Sequence, residues 1–374
     1  MKRLINYYFL ILSIVLIVLG LLFLATLSAP QSLQIFQNTN YYFFHQLISV
    51  AIGFVLCIVI FRIPLRFLKK ITPILFFINL LLLVAVFLPF IGTEFWGASR
   101  WISIGKNTFQ PSEFLKITAI LYLSSWLSSK FSENTKSSWI TIAKKGYYNL
   151  TRVFLPFLLL LATITILLYL QKDISTLGII AATLIIIYFV AATPLWHTIL
   201  AFIMGSISVA LFIIIEPYRL QRFLTLLNPE SDPLGKGLQI KQSLIAIGSG
   251  GIFGKGLGMS TQKFGFLPQA MSDSVFAILG EETGIIGSSI LIILFLLFLY
   301  FGFKIANSAT DKFSKLTAVG ITTWIVLQAF TNIASSIGLI PLSGIPLPFF
   351  SYGGSHLIAE IIGVGLLLKI SKSG

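Results

Sequence analysis

The feature of this sequence best suited to chemistry is one carboxylate beside a group of cations. Asp273 lies in the tripeptide Ser272-Asp273-Ser274, at the end of a stretch from 216 to 273 that is rich in Gly, Pro and polar residues. The cations of that stretch are Arg219, Arg222, Lys236, Lys241, Lys255 and Lys263. A carboxylate can take a proton from a hydroxyl and cations can stabilise a diphosphate leaving group, which favours group transfer from a lipid-linked substrate. The alternative is structural, because Asp is also a favoured N-cap of a following helix, and the two roles are compatible.

A second carboxylate, Glu281, follows eight residues later. On a helix this spacing corresponds to about 12 Å, beyond the roughly 5 to 9.5 Å that separates paired glycosidase carboxylates. A hydrolase with two catalytic carboxylates is therefore disfavoured, whereas one base suffices for a diphosphate leaving group. Glu281 and Glu282 also lie inside an apolar run, where carboxylates are costly unless they face a polar cavity or pair internally, and both alternatives stay open.

Other polar positions have simpler interpretations. Glu113 and Lys116 are spaced i, i+3 in QPSEFLK, which predicts a local ion pair inside a helix bundle. The pairs Lys172-Asp173 and Arg100-Trp101 are as well explained by interfacial anchoring as by function.

Several kinds of site are excluded. The three histidines have no metal-ligand spacing, and Cys57, the single cysteine, excludes a disulfide and a thiolate metal site. The pattern GSGGIFGKG (248–256) has neither the preceding strand nor the Lys-Ser/Thr of a phosphate loop, which disfavours a nucleotide site. The longer segment LIAIGSGGIFGKGLGMS (244–260) is rich in small residues, which predicts that it lies in the interface or re-enters the membrane.

Long apolar runs predict the elements that position these residues. Of 374 residues, 56% are hydrophobic and 10% are charged, which excludes a soluble globular protein. The runs are long enough for spanning helices, and lack the alternation of barrel strands. We expect an all-α polytopic membrane protein, a single domain over residues 1–374, with one large loop (about 216–273) between spans 7 and 8. The ten predicted spans lie at about 7–27, 43–61, 72–91, 113–128, 153–170, 174–191, 198–215, 274–303, 316–337 and 353–370.

The distribution of charge predicts the orientation of the chain. The net charge of +14 does not indicate nucleic-acid binding, because the basic residues are spread between apolar runs. With the N-terminus inside, 16 of the 26 basic residues lie in cytoplasmic stretches: Lys2, Arg3, Arg62, Arg66, Lys69, Lys70, Lys130, Lys136, Lys144, Lys145, Arg152, Lys304, Lys312, Lys315, Lys369 and Lys372. We therefore expect both termini in the cytoplasm and the 216–273 loop outside.

Four segments carry motifs that match a known family. They are GASRWISIG with FQPSEFLK (97–116), QKDISTLG (171–178), the run from RLQRF to ETGIIG (219–287), and GLIPLSGIPLPFFSYGGS (338–355). Through them, nearly the whole chain resembles the SEDS membrane proteins, the peptidoglycan glycosyltransferases FtsW, RodA and SpoVE. The segment GKGLGMSTQKFGFLP (254–268) is most similar to the FtsW and SpoVE form.

The resemblance implies an activity and a site. The expected reaction is polymerisation of lipid II into β-1,4 glycan outside the bacterial cytoplasmic membrane, with release of undecaprenyl diphosphate. Asp273 matches the essential aspartate and would act as the base. The positions that match family motifs around the same cavity are Glu281, Trp101, Glu113 and Lys116, while Arg222 and Lys263 would hold diphosphates.

The resemblance also bears on cofactors and partners. A divalent cation, Mg²⁺ or Mn²⁺, is neither required nor excluded by the sequence, and no metal ligand is assigned. The implied partner is a class B penicillin-binding protein with transpeptidase activity, together with other membrane proteins of a division or elongation complex.

Departures and alternatives remain. Gln269 stands where the family usually has Glu, Met271-Ser272 precede the aspartate where Thr is common, Lys172 replaces Pro, and His356 replaces Ser. The substitution at Gln269 puts a cation role of that position in doubt.

The alternatives to an FtsW-like division enzyme are a RodA-like elongation polymerase, a lipid II flippase and a non-catalytic division scaffold. A flippase is expected to show repeats and charges at mid-membrane.

Overall fold

The computed structural model describes residues 6–95, 98–105, 107–130, 150–215, 217–233 and 235–373. The α-helices of this part of the chain are α1 (Tyr7–Phe36), α2 (Tyr41–Arg62), α3 (Leu65–Ala85), α4 (Pro111–Lys130), α5 (Leu155–Leu170), α6 (Ile174–Val190), α7 (Leu195–Ile215), α8 (Pro217–Leu227), α9 (Lys236–Gly250), α10 (Val275–Ser308), α11 (Lys312–Ser336) and α12 (Gly354–Ser373). A π-helical turn, Leu150–Phe154, leads into α5, and 3₁₀ turns occupy Pro229–Ser231 and Gln262–Phe264. Several residues named above lie outside the described part: Lys2, Arg3, Lys136, Lys144 and Lys145.

Each of the ten predicted spans coincides with a helix. Seven helical segments are long and apolar enough to cross a membrane: α1, α2, α3, Leu150–Leu170, α10, α11 and α12. Ile174–Val190 and Leu195–Ser208 are shorter apolar helices, and α4 is helical but more polar. The polytopic, mostly helical membrane fold is confirmed, while the count of ten spans and the orientation stay predictions.

Several helix ends differ from their predictions, α1 for example extending to Phe36 and α10 to Ser308, and one predicted span is displaced as a whole. The predicted span 72–91 is replaced by α3, which begins at Leu65 and ends at Ala85. After Ala85 the chain turns, with Phe87 N–H donating to the Val84 carbonyl (3.1 Å) and Gly92 N–H donating to the Leu88 carbonyl (2.9 Å). Hydropathy marks which residues are apolar but not where the backbone turns, so the turn before the sheet was not visible in the sequence.

The chain packs into two compact units, each assembled from separate stretches of sequence. Unit one contains the described residues of 1–62, 210–305 and 325–372, and unit two those of 63–209, 306–324 and 373. The single domain over 1–374 stays a prediction.

In unit one the helices approach each other closely. A side chain at Gly20 of α1 would begin 2.0 Å from the Phe349 carbonyl oxygen, so this contact requires glycine. Phe9 and Phe298 pack with their ring centroids 5.0 Å apart and are fully buried. These contacts join α1, α10 and the segment before α12.

Unit two contains a small sheet. Strands β1 (Gly92–Phe95), β2 (Ala98–Ile104) and β3 (Asn107–Phe109) are antiparallel in that order. The sheet precedes α4, which packs against α3 and α6 and is buried along most of its length.

Candidate functional site

Asp273 lies immediately before α10, and its neighbour takes the capping position. The helix begins at Val275, and the Ser274 carbonyl accepts the first helical hydrogen bond from Ile278 N–H (3.3 Å). By this backbone criterion Ser274 holds the N-cap position, and the capping role of the Asp273 side chain stays a prediction. Asp273 itself is half-buried, and its main-chain carbonyl accepts a hydrogen bond from Nδ2 of the buried Asn332 (2.9 Å).

Two other segments fix the backbone around Asp273. The Ser351 hydroxyl donates to the Ser272 carbonyl (2.6 Å), and Tyr352 N–H donates to the Met271 carbonyl (2.8 Å). On the other side, Nε2 of Gln239 in α9 donates to Oγ of Ser274 (3.1 Å). Hydrogen bonds on both sides restrict the backbone here, and so the place from which the carboxylate projects.

Arg222 of α8 reaches the same place through the segment before α12. Its guanidinium donates to the Leu342 carbonyl (3.3 Å). Two residues further on, a side chain at Gly344 would begin 3.6 Å from Oδ2 of Asp273, and Gly344 has a φ of 69°, which favours glycine. The loop that binds Arg222 thus also lines the Asp273 carboxylate.

Lys236, the first residue of α9, is the second cation of this group. Its ammonium donates to Oε1 of Gln239 (3.4 Å), the residue that is bonded to Ser274, and its main-chain N–H donates to Oδ2 of Asp232 (2.8 Å). Burial and the positive charge of Arg222 lower the pKa of Lys236 from its ordinary value, and the negative charges of Asp273 and Asp232 oppose that shift. The charges of Arg222, Asp273 and Asp232 thus all act on Lys236.

The two glutamates of α10 have a different environment. Glu281 and Glu282 are both fully buried, and residues 254–263, which we call the clasp, wrap around their carboxylates. Oε1 of Glu281 accepts hydrogen bonds from Lys255 Nζ (2.6 Å) and Thr261 Oγ1 (2.9 Å), and Oε2 accepts one from Ser260 Oγ. Both carboxylate oxygens of Glu281 are thus used inside the protein.

Glu282 binds the other end of the clasp. It accepts hydrogen bonds from Lys263 Nζ (3.0 Å) and from Gly258 N–H (2.9 Å). The side chain of Lys263 is only 3% exposed, and its ammonium also donates to the Gly258 carbonyl (2.6 Å). This geometry does not favour the diphosphate role of Lys263, which stays a prediction.

The glycines at the start of the clasp serve the packing of the backbone. At Gly284, with φ of 66°, α10 leaves helical geometry, and the Glu281 and Glu282 carbonyls accept hydrogen bonds from Lys255 and Gly256 N–H (3.0 Å each). A side chain at Gly254 would begin 2.2 Å from the Glu282 carbonyl oxygen. The backbone of GSGGIFGKG thus bonds the carbonyls that are left without a helical partner where α10 breaks. This packing role explains its glycines without a phosphate ligand.

Three other predicted site residues lie in unit two. Glu113 and Lys116 form the predicted ion pair (2.8 Å), with side chains 4% and 3% exposed, and the Lys116 ammonium lies 5.4 Å from the ring centroid of Trp324. Trp101 lies in β2, paired in register with Thr93 of β1. Asp273, Glu281, Arg222 and Lys263 belong to unit one, and the cavity that all these residues were expected to share stays a prediction.

Arg100 and Asp173, also in unit two, pair with each other. Arg100 Nη1 lies 3.7 Å from Oδ1 of Asp173, which is buried and caps α6 through Thr176 N–H (3.5 Å). Neither residue was assigned a definite role from the sequence.

Sequence reasoning missed Lys236, Gln239 and Asn332. Lys236 was counted among the loop cations but not distinguished from them. The i, i+3 spacing of Lys236 and Gln239 could have marked the pair once a helix was expected there. Asn332 gave no signal, because its partner lies far away in the sequence.

The donor set around Asp273 is unlike that of a protein metal site. Among the described residues, no group of three or more His, Cys, Asp or Glu could hold a metal ion. The charges that act on one another there are two cations, Lys236 and Arg222, and two carboxylates, Asp273 and Asp232. Cations beside a carboxylate suit an anionic ligand better than a divalent cation.

Comparisons with known proteins agree with the resemblance of the motifs. The family model described as cell cycle protein, covering FtsW, RodA and SpoVE, matches residues 6–374. Stage V sporulation protein E of Bacillus subtilis is 35% identical over 97% of this chain and 95% of its own length. The protein named probable peptidoglycan glycosyltransferase FtsW in Coxiella burnetii is 38% identical over 95% of this chain and 93% of its own length.

Solved structures share the fold. A chain from a peptidoglycan synthase complex, described as coordinating polymerization and crosslinking, superposes with a TM-score of 0.77 at 24% identity, covering 98% of this chain and 97% of that one. The rod shape determining protein RodA of Thermus thermophilus superposes with a TM-score of 0.70 at 23% identity, covering 98% and 96%.

Proposed function

The chain belongs to the FtsW, RodA and SpoVE family of multi-pass membrane proteins, and we propose that it polymerises lipid II as a peptidoglycan glycosyltransferase. The family membership rests on a match over nearly the whole chain, and FtsW relatives at 34 to 38% identity carry this activity in their names. The form of the clasp sequence supports a role in cell division. We place the protein in the bacterial cytoplasmic membrane with Asp273 on its outer side.

The observation that carries the proposal is the approach of the loop that binds Arg222 to the Asp273 carboxylate, just before α10. In the proposed reaction Asp273 accepts the proton of the acceptor sugar 4-hydroxyl, and that oxygen attacks C1 of the donor sugar. The bond from C1 to the diphosphate oxygen breaks, and undecaprenyl diphosphate leaves with the electron pair. Attack opposite to the leaving group converts an α-linked donor into a β-1,4 linkage.

Arg222 supplies the electrostatic part of the reaction. Negative charge develops on the leaving diphosphate, and a cation already fixed in the site stabilises it without reorganisation. Arg222 is held by the Leu342 carbonyl and is therefore positioned before substrate arrives. The protein's own residues thus provide the base and the compensating charge.

A transpeptidase partner is part of the proposal. The superposition on a chain from a peptidoglycan synthase complex supports an assembly of this kind. We propose a class B penicillin-binding protein as that partner, bound through helix faces within the membrane, alongside other division proteins.

The test of the reaction is Asp273→Asn in the purified full-length protein. Asn keeps the shape of Asp and its capacity to accept hydrogen bonds, but it is not a base. We expect glycan synthesis from lipid II to fall at least about a hundredfold, since loss of a general base costs this much or more. Thermal stability should be unchanged.

The matched control is Asp311→Asn at the start of α11. Asp311 accepts hydrogen bonds from Ser314 N–H (3.0 Å) and Ser314 Oγ (2.6 Å), so it is a capping aspartate outside the site. Because Asn caps almost as well as Asp, this variant should keep its activity. Near-normal synthesis by Asp273→Asn would overturn the role of Asp273 as the base, whereas absence of synthesis by the parent protein would favour the flippase or the scaffold.

A further inference from the structure

Lys236 has a side-chain environment that the proposed reaction has not yet used. It lies at the first position of α9 and is half-buried, unlike Lys241 of the same helix, which is exposed. A half-buried ammonium loses part of its hydration, and this loss is unfavourable unless another group compensates for it. The side-chain hydrogen bond of Lys236, to Oε1 of Gln239, is long at 3.4 Å.

A chain of contacts places Lys236 beside Asp273. The Lys236 ammonium donates to Oε1 of Gln239 (3.4 Å), and Nε2 of the same amide donates to Oγ of Ser274 (3.1 Å). Ser274 follows Asp273 directly in the chain. Gln239 and Ser274 are 2% and 1% exposed, so water does not loosen this connection. Lys236 is thus tied to the segment that carries the carboxylate.

Arg222 approaches the same carboxylate from another element. It binds the Leu342 carbonyl, and the same loop reaches the Asp273 carboxylate at Gly344. The positive charge of Arg222 disfavours the charged form of Lys236, whereas Asp273 and Asp232 favour it. Two cations held near each other in a partly buried site repel each other, and a bound anion would relieve that repulsion.

We propose that Lys236 binds the diphosphate of a polyprenyl-linked sugar, together with Arg222, on the leaving-group side of Asp273. This inference rests on the proposed function for the identity of the ligand. In an inverting displacement the leaving oxygen lies one hydrogen bond and one near-attack distance from the base, roughly 6 to 8 Å in all. Lys236 is tied to the segment that carries Asp273 through Gln239 and Ser274, whereas the ammonium of Lys263 is bound by Glu282.

The test measures diphosphate binding apart from catalysis. Farnesyl diphosphate, a short soluble probe with the same headgroup, is titrated against the full-length protein carrying Lys236→Met, Lys236→Arg or Lys241→Met. We expect Lys236→Met to weaken binding roughly ten- to hundredfold, the range for a lost charge-assisted hydrogen bond. Lys236→Arg should bind nearly as the parent does, and Lys241→Met should be unchanged.

Kinetics give a second readout. Lys236→Met should raise KM for lipid II more than it lowers kcat, and added salt should reduce the difference between the variant and the parent. Equal thermal stability of the Met and Arg variants would exclude misfolding as the cause. Equal probe affinity in Lys236→Met and Lys241→Met would overturn the inference.

The two proposals fail in distinguishable ways. If Asp273→Asn abolishes glycan synthesis while Lys236→Met binds farnesyl diphosphate normally, only the role of Lys236 is wrong. If the parent protein makes no glycan but binds the probe through Lys236, the diphosphate site stands and the proposed polymerase activity is wrong. Asp273→Asn itself should keep or improve probe binding, because it removes a negative charge beside the anion.

Discussion

At the residue scale, the charge of Lys236 is set by opposing neighbours. Burial and Arg222 lower the pKa of Lys236 from 10.5, and Asp273 and Asp232 partly restore it. Between the lowered pKa and 10.5 the folded protein binds fewer protons than the unfolded chain. Considered alone, this group makes the free energy of unfolding rise with pH across that window, and it costs stability below it.

Binding of a diphosphate should show the opposite dependence on pH. The ammonium form of Lys236 is the form that binds, so affinity for farnesyl diphosphate should fall as pH rises, beginning below 10.5. The probe does not titrate there, because the second pKa of a phosphate is about 6. Lys236→Arg, which stays charged, should lose this dependence. Parallel affinity curves for the parent and the Arg variant would show that another group titrates.

The sequence was informative about Asp273 and less so about its neighbours. The polar character of the loop, its excess of cations and the matching motif all pointed to one carboxylate before a span. Which cation lies next to it depends on the packing of α9 against the Ser274 segment, which no local pattern records. Lys263 matched a motif position of the family. In the structure, however, its ammonium is bound by Glu282, a carboxylate of α10.

At the element scale, the clasp explains why two glutamates can lie inside an apolar helix. The break at Gly284 exposes main-chain groups, and the glycine-rich start of the clasp satisfies them. The two ion pairs then fix the clasp to the helix that begins directly after the Asp273 segment. The sequence predicted that these glutamates need a polar cavity or a partner, but it could not show that the clasp supplies the partners.

The pair Lys263 and Glu282 gives a test of the clasp. Their side chains are 3% and 0% exposed, so Lys263→Met leaves a buried carboxylate without its counter-ion. We expect this variant to lose about 3 to 5 kcal/mol of unfolding free energy, the usual cost of breaking a buried pair. The double variant Lys263→Met with Glu282→Gln should recover much of it, because no charge is then left unpaired. Thermal unfolding of both proteins in detergent is the measurement.

This test separates the structural role of Lys263 from the diphosphate role. A diphosphate ligand predicts that Lys263→Met keeps its thermal stability and loses affinity for farnesyl diphosphate. The clasp predicts loss of stability, with affinity retained by the protein that remains folded. A stable, poorly binding variant would return Lys263 to the substrate site.

At the scale of the whole molecule, hydropathy was sufficient for the helical architecture. Ten apolar runs became helices, because a run that must satisfy its backbone in lipid has little choice other than a helix. The small sheet between α3 and α4 was not foreseen, since its strands are short and lie in a loop. The division into two units was also not visible, because each unit combines distant stretches of the chain.

The orientation of the molecule decides whether the proposed chemistry can occur where a cell wall is built. Of the 26 basic residues, 16 lie in the stretches assigned to the cytoplasm, while the loop that carries the site is expected outside. Two exposed positions report on the two sides: Ser231, in the loop between α8 and α9, and Thr310, between α10 and α11. Each is changed to Cys in a Cys57→Ser background, since Cys57 is the single native cysteine.

A maleimide that does not cross membranes should distinguish the two positions in intact cells without an outer barrier. We expect Ser231→Cys to react at once and Thr310→Cys to react only after the membrane is permeabilised. The reason is electrostatic, because reversing the chain would carry most of its Lys and Arg residues across the membrane and leave the loop cations inside. Labelling of Thr310→Cys in intact cells, with Ser231→Cys protected, would place Asp273 on the cytoplasmic side and make polymerisation outside the membrane untenable for this chain.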